Sequence, residues 1–233
     1  MTSSPVTYAL DGSVASIVMD DGKVNVLSPA MLGALDDAFD RAEADGAVVV
    51  LEGRVGIFSA GFDLKVLRGG GREAVGMLQS GFRLAERMLS FPTPVVIACT
   101  GHAVAMGVFL LLSGDYRVGA TGPFRITANE VAIGLTMPRA AVEICRQRLT
   151  PAAFNRAVLL AEPFSPEDAA AAGFLDRAAP PDDVVKTARE VAVQLAGLDL
   201  AAHAASKLRA RAPALTALRA GIEADDVELE GMA

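Results

Sequence analysis

The sequence is short of aromatic residues, of cysteine and of histidine, and it contains no tryptophan. Only 5% of its 233 residues are aromatic while 52% are hydrophobic, so we expect a core of Ala, Val, Leu and Ile with closely packed helices. The two cysteines, Cys99 and Cys145, are too few for a disulfide framework. Their apolar neighbours predict buried thiols in a reducing compartment, with a catalytic thiol or a disulfide bridge as the less favoured alternative.

The sequence also lacks an excess of positive charge and any long apolar run. Its net charge of -7 argues against a nucleic-acid-binding surface, which needs clustered Lys and Arg. The most apolar stretches, around 94–99 and 108–112, fall far short of the roughly 20 residues of a membrane span. The segment 1–11 has neither the basic residues nor the apolar run of a signal peptide. We therefore expect a cytoplasmic protein with neither nucleic acid nor membrane as a partner.

The first fifth of the chain predicts a parallel sheet. Val6–Leu10 and Val14–Met19 read as two strands of a hairpin. Ser28 is followed by a proline and by apolar residues at helical spacing, which predicts a capped helix that ends at Gly46. Ala47–Leu51 is a short continuous apolar run, typical of a strand covered on both faces. A strand, a helix and a buried strand in this order indicate a right-handed crossover in an α/β fold.

The rest of the chain continues this pattern and then becomes helical. Further strands are predicted at Val95–Cys99, Asp115–Ala120, Phe124–Thr127 and Phe174–Ala178. Helices are predicted at Arg72–Ser90, from Thr150-Pro151 onward, and from Ser165 to Gly173. We expect Gly69-Gly70-Gly71 to form a mobile loop, and we place a boundary near Pro180 between a core of residues 1–180 and a helical region of residues 181–233.

Two loops of small residues are the most informative feature of the sequence. Phe58–Lys65 and Gly101–Phe109 each follow an apolar stretch and lead into a helical pattern. Backbone N–H groups at the start of a helix have no acceptor within the helix and can bind an anionic oxygen. Two such loops can together form an oxyanion hole.

The first loop fits the form Phe-x-Ala-Gly-x-Asp-Leu at every fixed position from Phe58 to Leu64. With the second loop, the order of strands and helices, and the segment Asn129–Gly134, it resembles the crotonase family of enoyl-CoA hydratases and isomerases, from Val14 to about Ala178. The resemblance implies a crotonase-like ββα spiral of stacked sheets with a C-terminal helical appendage. It also implies a homotrimer or a hexamer joined through the C-terminal helices, and a fatty acyl-CoA ligand with no separate cofactor, since coenzyme A is part of the substrate.

The resemblance assigns roles to both loops. The thioester oxygen would lie between the N–H groups of Phe62 and Met106, near a helix that starts around Gly107. Met106 stands where the family typically has a glycine, so its side chain is expected to narrow the pocket or to alter the local φ. The carbonyl groups expected to face the adenine are those around Ala60, Phe62, Asp63 and Leu64. Lys65 is a candidate for a phosphate of coenzyme A, and a solvated lysine is the equal alternative.

The same resemblance leaves one acid in the site. Glu130 aligns with one of the two glutamates of the family's hydratases, while Phe109 stands at the other position and can neither accept a proton nor orient water. We expect the apolar segment Val131–Ile133 to raise the pKa of Glu130. A single base with an oxyanion hole suffices to move a double bond, and Asn129-Glu130 and Asp115-Tyr116 are similar to segments of the mitochondrial 3,2-enoyl-CoA isomerases.

The sequence therefore favours an enoyl-CoA isomerase. A hydratase in which Glu130 alone positions water, and a non-catalytic acyl-CoA-binding protein, stay open as alternatives. Other polar residues are weaker candidates. We expect His102 to bond to nearby backbone and His203 to be solvated. Asp115 and Arg117 are expected to be structural, and no cluster of residues has the spacing of metal ligands.

Overall fold

The computed structural model describes residues 4–231, and in this part of the chain three sheets are surrounded by helices. The strands are β1 (Val6–Asp11), β2 (Val14–Met19), β3 (Val26–Leu27), β4 (Val48–Glu52), β5 (Gly56–Ser59), β6 (Gly61–Phe62), β7 (Val95–Cys99), β8 (Gly101–Val104), β9 (Tyr116–Ala120), β10 (Ile126–Thr127) and β11 (Arg177–Ala179). The helices are α1 (Pro29–Ala44), α2 (Leu64–Gly69), α3 (Gly71–Ser90), α4 (Met106–Ser113), α5 (Arg139–Arg146), α6 (Pro151–Leu160), α7 (Pro166–Ala172), α8 (Val184–Leu195) and α9 (Leu200–Glu230). The predicted α/β class is confirmed.

The largest sheet has six strands in the order β1-β2-β4-β7-β9-β11. β1 and β2 form the predicted antiparallel hairpin, and every other neighbouring pair is parallel. The predicted caps also form: Ser28 Oγ accepts a hydrogen bond from Met31 N at the start of α1, and Ser165 Oγ accepts one from Asp168 N at the start of α7. Local sequence signals therefore fix these helix starts.

Both faces of the six-stranded sheet are covered. In β4, Val49 and Leu51 belong to the larger hydrophobic cluster, which also contains side chains of α1, α3 and α4. Val48 and Val50 point to the opposite face and pack in a second cluster with Val184 and other residues of α8. Because side chains alternate along a strand, the continuous apolar run of β4 serves both layers.

Two small parallel sheets carry the two loops. β8 lies between β10 and β5, and β6 pairs with β3. The first loop therefore passes from β5 through β6 into α2, and the second passes from β8 into α4. Each loop leaves a parallel strand and enters a helix directly.

Three local predictions need correction. The segment Gly69-Gly70-Gly71 is a sharp junction rather than a loop, because α2 ends at Gly69 and α3 begins at Gly71. Only Gly70 lies between the two helices, and it has φ 63°. The strand predicted at Phe124–Thr127 is limited to β10. The strand predicted at Phe174–Ala178 begins later, at Arg177. Phe174 and Leu175 lie outside the strand, and their side chains pack into the hydrophobic core.

The C-terminal helices pack on the rest of the molecule. α8 contacts β4, β7 and β9, and α9 contacts α3 and α5. The boundary near residue 180 stays a prediction, although α8 covers one face of the main sheet. The acidic segment 223–230 is only partly solvated, because Asp225 and Asp226, whose side chains are 13% and 19% exposed, form ion pairs with Arg139 and Arg83.

Candidate active site

The first loop is held by a buried polar brace. Ser59 Oγ donates a hydrogen bond to the Asn25 carbonyl oxygen (2.8 Å) and accepts one from Gly61 N (3.1 Å). Asn25 Nδ2 in turn donates to the Phe58 carbonyl oxygen at 3.2 Å. Asn25 is fully buried and has φ 52°, which asparagine tolerates better than most residues. Sequence reasoning missed this residue, since its only local signal is an Asn in a polar turn.

The second loop turns into α4 through one unusual residue. Ala105 has φ 49° and ψ -126°, and Met106 is the first residue of the helix. The helix thus begins at Met106, one residue before Gly107 and close to the predicted start, and the positive φ falls on Ala105. The N–H of a first helical residue has no acceptor inside the helix, and it lies at the positive end of the helix dipole. This is the placement that an oxyanion donor requires.

Two glycines bring the loops into direct contact. A Cβ atom on Gly61 would lie 2.8 Å from Ala105 Cβ and 3.2 Å from Met106 N. A Cβ atom on Gly107 would lie 2.6 Å from the Ser59 carbonyl oxygen. No larger residue fits at either contact unless the backbone moves. The structure thus places Phe62, next to Gly61, on the segment that lies against Met106. The role of the two N–H groups in holding a thioester oxygen stays a prediction.

Aromatic side chains line one side of the two loops. The Phe62 ring lies on Gly81 of α3, where a Cβ atom would come within 2.5 Å of it. Phe82, the next residue of α3, contacts Phe62 edge to face at 6.2 Å between ring centroids and stacks on Phe109 at 6.1 Å. Phe109 is fully buried and lies one turn after Met106 on α4. An apolar wall therefore occupies the position where the resemblance to hydratases would place a second carboxylate.

Glu130 is carried on the segment beside the second loop. Thr127 pairs with Val104 in the small sheet, and Ala105 N donates a hydrogen bond to the Thr127 carbonyl oxygen at 3.0 Å. Glu130 follows three residues later. The residue is 8% exposed, its Oε2 atom is buried without a hydrogen-bond partner among the described residues, and burial raises the pKa of Glu130 to about 7. This is the protonation behaviour expected of a general base near neutral pH.

The pKa of Glu130 is raised as predicted, but Val131–Ile133 are not the residues that bury it. Val131 is 42% exposed and Ile133 is 54% exposed, so the residues that follow Glu130 point to solvent. The carboxylate instead faces the interior. Burial raises the pKa of the Cys145 thiol on α5, and the nearby charge of Glu130 adds to that rise. Sequence proximity misled the prediction because the chain turns into a short 3₁₀ helix at Glu130.

The residues expected to bind coenzyme A lie at the start of α2. Ala60 and Asp63 are half-buried, while Leu64 and Lys65 are exposed. The Asp63 side chain caps α2 by accepting a hydrogen bond from Lys65 N (2.8 Å), and its carbonyl oxygen accepts one from Leu67 N (3.0 Å). A carbonyl oxygen has a second lone pair. Adenine and phosphate recognition by these residues stays a prediction.

The remaining polar candidates are structural. His102 Nδ1 accepts a hydrogen bond from Arg125 N at 3.0 Å, as expected of a histidine bonded to backbone. Asp115 binds Lys207 at 2.7 Å and Arg211 at 2.9 Å, which ties α9 to the start of β9, an inner strand of the six-stranded sheet.

Arg117 forms a two-point ion pair with Asp176, so its structural role is also confirmed. His203 was expected to be solvated, but it is half-buried on α9 and burial lowers its pKa. The two cysteines are buried and free, as predicted.

Within residues 4–231, no group of three or more His, Cys, Asp or Glu side chains is placed to hold a metal ion. None of the helices in this range is long and apolar enough to cross a membrane.

Comparison with known proteins identifies relatives along nearly the whole chain. Residues 10–231 match the family model described as "Enoyl-CoA hydratase/isomerase". The structure of an enoyl-CoA hydratase from Mycobacterium marinum is 53% identical, with 97% of this chain and 99% of that chain covered and a TM-score of 0.93.

Two isomerase structures are also similar. A Mycobacterium tuberculosis protein described as an enoyl-CoA isomerase is 54% identical over 95% of this chain and 97% of its own, with a TM-score of 0.92, and another structure of that protein is described as a probable enoyl-CoA hydratase. The human mitochondrial delta3-delta2-enoyl-CoA isomerase is 26% identical over 98% of this chain and 91% of its own, with a TM-score of 0.91. The predicted crotonase-like fold is confirmed by these structures.

Proposed function

The chain belongs to the enoyl-CoA hydratase/isomerase family, and we propose that it moves the double bond of an enoyl-CoA from the β,γ to the α,β position. The family acts on enoyl-CoA thioesters. The names of its relatives do not choose between reactions, since structures with 53% and 54% identity are called a hydratase and an isomerase. The choice must come from the site.

The proposed reaction needs one base and one oxyanion hole. Glu130 removes a proton from the α-carbon, and the electron pair moves onto the thioester oxygen as a dienolate. The N–H groups of Phe62 and Met106 hold that negative charge. Loss of one such donor typically costs about 2.7–4 kcal/mol of transition-state stabilisation. Protonated Glu130 then returns the proton at the γ-carbon, so no water is consumed.

The observation that carries this proposal is the isolation of Glu130. It is a buried carboxylate with a pKa of about 7 and an unpaired Oε2 atom. At the position that the resemblance aligns with the second glutamate, the fully buried Phe109 ring stacks on Phe82. A base without a second carboxylate can shuttle a proton between two carbons, but it has little means to orient water for addition.

A hydratase is the second candidate, and one observation favours it. Asn129 Oδ1, like Glu130 Oε2, is buried and has no hydrogen-bond partner among the described residues. Two unpaired acceptors on adjacent residues could together hold a water molecule. A non-catalytic acyl-CoA-binding protein is the third candidate, and it would bind acyl-CoA tightly without turnover.

The experiment that separates these candidates uses two substrates. The protein is incubated with a 3-enoyl-CoA and, separately, with the matching 2-enoyl-CoA, and products are separated by chromatography. Isomerisation predicts conversion of the first to 2-enoyl-CoA with little 3-hydroxyacyl-CoA from either. Hydration at a comparable rate would reject the isomerase, and its loss in Asn129→Leu would identify Asn129 as the second water ligand. Binding without product would favour the non-catalytic protein.

A further inference from the structure

Gly81 of α3 lies where the side chains of two loop residues meet. A Cβ atom on Gly81 would lie 2.5 Å from both Cε1 and Cζ of the Phe62 ring and 3.5 Å from Met106 Cε. Phe62 belongs to the first loop, whereas Met106 begins α4 at the end of the second loop. The two residues whose N–H groups are the candidate oxyanion donors therefore both pack, through the ends of their side chains, on one residue of a third element.

Both side chains are held in this position by their neighbours. Met106 is fully buried, and its side chain packs inside the larger hydrophobic cluster. The Phe62 ring packs on Phe82, the next residue of α3, with 6.2 Å between the ring centroids. Phe82 also stacks on Phe109 of α4 at 6.1 Å. One turn of α3 thus contacts the first loop and α4 together, and a close-packed interior transmits a displacement of one element to the others.

Glycine at position 81 has no local explanation in the helix itself. Gly81 lies in the interior of α3, a helix of 20 residues, where glycine is less favourable than alanine because its backbone loses more entropy on folding. Gly76 on the same helix has open space around it, since a Cβ atom there would meet nothing within 4 Å. At Gly81 the same atom would overlap the Phe62 ring. The missing side chain of Gly81 therefore makes room for that ring.

From this arrangement we propose that Gly81 is a positioning residue of the oxyanion hole: it seats the Phe62 ring and the Met106 side chain, and so sets the spacing between the N–H groups of the two loops. The proposal deepens the proposed function and rests on it in taking these N–H groups as donors to the thioester oxygen. Such donors act when they lie about 2.7–3.1 Å from the oxyanion. A misplacement of about 1 Å can lower turnover about a hundred-fold, even when the substituted residue does not touch the substrate.

Gly81→Ala tests the proposal, with Gly76→Ala as the matched control on the same helix. The added methyl group would overlap the Phe62 ring but would make only an ordinary contact with Met106 Cε, so one N–H group should shift relative to the other. We expect kcat for a 3-enoyl-CoA to fall about 10- to 100-fold, while calorimetry shows affinity for saturated octanoyl-CoA within about three-fold of wild type. Gly76→Ala should keep the wild-type kcat. A folded Gly81→Ala protein with wild-type kcat would overturn the proposal.

A double-mutant cycle with Phe62→Leu separates positioning from a general loss of packing. Leucine lacks the ring atoms that a Cβ atom on Gly81 would overlap, and it keeps the main-chain N–H group. Phe62→Leu should be less active than wild type because the ring contacts are lost, but adding Gly81→Ala to it should lower kcat by less than about three-fold. A larger further fall would overturn the proposal, and this comparison does not require Gly81→Ala to fold by itself.

The infrared carbonyl stretch of bound octanoyl-CoA, isotopically labelled at the thioester carbonyl carbon, gives a readout without turnover. Hydrogen bonds to the oxygen lower this frequency, and Gly81→Ala should remove about half of the lowering seen in wild type, because one of two donors is displaced. Full lowering in Gly81→Ala would overturn the positioning role. If the lowering in wild type is lost in Gly81→Ala but wild type shifts no double bond, the isomerase is refuted and the positioning role stands. No lowering in wild type would refute the oxyanion hole and this proposal with it.

Discussion

Glu130 combines nearly complete burial with an unpaired carboxylate oxygen. Burying an unpaired carboxylate costs folding free energy, and the proposed role as a base gives a reason for that cost. If it is the base, Glu130→Gln should lower isomerase turnover at least a thousand-fold, because the amide keeps the shape and cannot accept the proton. Binding of a saturated acyl-CoA should change only a few-fold. Exposed Glu167→Gln is the control and should retain wild-type turnover. Substantial turnover by Glu130→Gln would assign the proton transfer to another residue.

The raised pKa of Glu130 also predicts the pH dependence of turnover. The base must be ionised in the free enzyme, so kcat/KM should fall ten-fold per pH unit below an apparent pKa of about 7 and should be flat just above it. Initial rates from pH 5 to 9 measure this profile. An inflection near 4.5, the ordinary pKa of glutamate, would show that the carboxylate is solvated in the active protein.

The raised pKa of Glu130 also predicts that the ionised carboxylate lowers the stability of the folded protein. In the folded state the proton is retained up to a pH of about 7, while in the unfolded state it leaves near 4.5. The destabilisation is therefore absent below pH 4.5, grows between 4.5 and 7, and is complete above 7. Glu130→Gln should raise the free energy of unfolding at pH 8 by up to about 3 kcal/mol, as measured by denaturant titration, and by much less at pH 5. Equal effects at both values of pH would contradict the assignment.

Gly61 tests the contact between the two loops. A Cβ atom there would lie 3.0 Å from the Val104 carbonyl oxygen and 2.8 Å from Ala105 Cβ, and the residue has φ 85°. Gly61→Ala should cost about 2–4 kcal/mol of folding free energy and should lower turnover at least ten-fold. Gly76→Ala on α3, where a Cβ atom meets nothing within 4 Å, is the control and should be neutral or slightly stabilising. Normal activity in Gly61→Ala would mean that the loops tolerate displacement.

For single residues, the sequence predicts features set by neighbours within a few positions. It does not predict which way a side chain points or which distant residue it contacts. The motif from Phe58 to Leu64 predicts the first loop, because such signals lie within a few residues. The environment of Glu130 was attributed to Val131 and Ile133, which face solvent. Asn25, which braces the first loop over 33 residues of sequence, was not recognised at all.

Among the helices, α5 depends on α9 for its N-terminal cap. Pro138 precedes α5 and supplies no side-chain hydrogen bond. The Asp225 carboxylate of α9 instead accepts hydrogen bonds from Arg139 N (3.2 Å) and Ala140 N (3.0 Å). A carboxylate at this end of a helix also interacts favourably with the helix dipole. α9 thus completes a helix that lies far from it in sequence.

Removal of this cap should be measurable. Asp225→Ala should lower the free energy of unfolding by about 1–2 kcal/mol, because two N–H groups lose their acceptor and Arg139 loses one of its two carboxylate partners. Exposed Glu223→Ala, on the same helix, should change it by less than about 0.5 kcal/mol. Thermal and denaturant melts of both variants give the comparison. An unchanged midpoint for Asp225→Ala would show that water replaces the carboxylate without loss.

Helices and strands whose ends are marked in their own sequence occupy the predicted ranges. Those whose ends depend on contacts with distant residues do not. β2 and β7 occupy the predicted ranges, since each is an apolar run with clear ends. β11 was predicted too early, because Phe174 and Leu175 look like strand residues but pack as core side chains. The cap of α5 could not be predicted, because its partner lies 85 residues away.

For the whole molecule, we propose assembly as a homotrimer or hexamer, as the family resemblance implies. Several large apolar side chains are exposed on the single chain: Val131, Ile133, Leu135, Leu159 and Leu160. Apolar surface of this kind often marks a protein interface. Sedimentation equilibrium at micromolar concentration should give three or six times the chain mass of 24.1 kDa. A monomer at that concentration would contradict the proposal.

The central claim is that two main-chain N–H groups and one carboxylate act on the same thioester. A crystal structure of Glu130→Gln with a 3-enoyl-CoA tests it most directly, since this variant should hold the substrate without converting it. We predict the thioester oxygen about 2.7–3.1 Å from both Phe62 N and Met106 N, and the substituted side chain at position 130 within about 3.5 Å of the α- and γ-carbons. A thioester oxygen bound elsewhere, or a side chain at that position turned away from both carbons, would contradict the account.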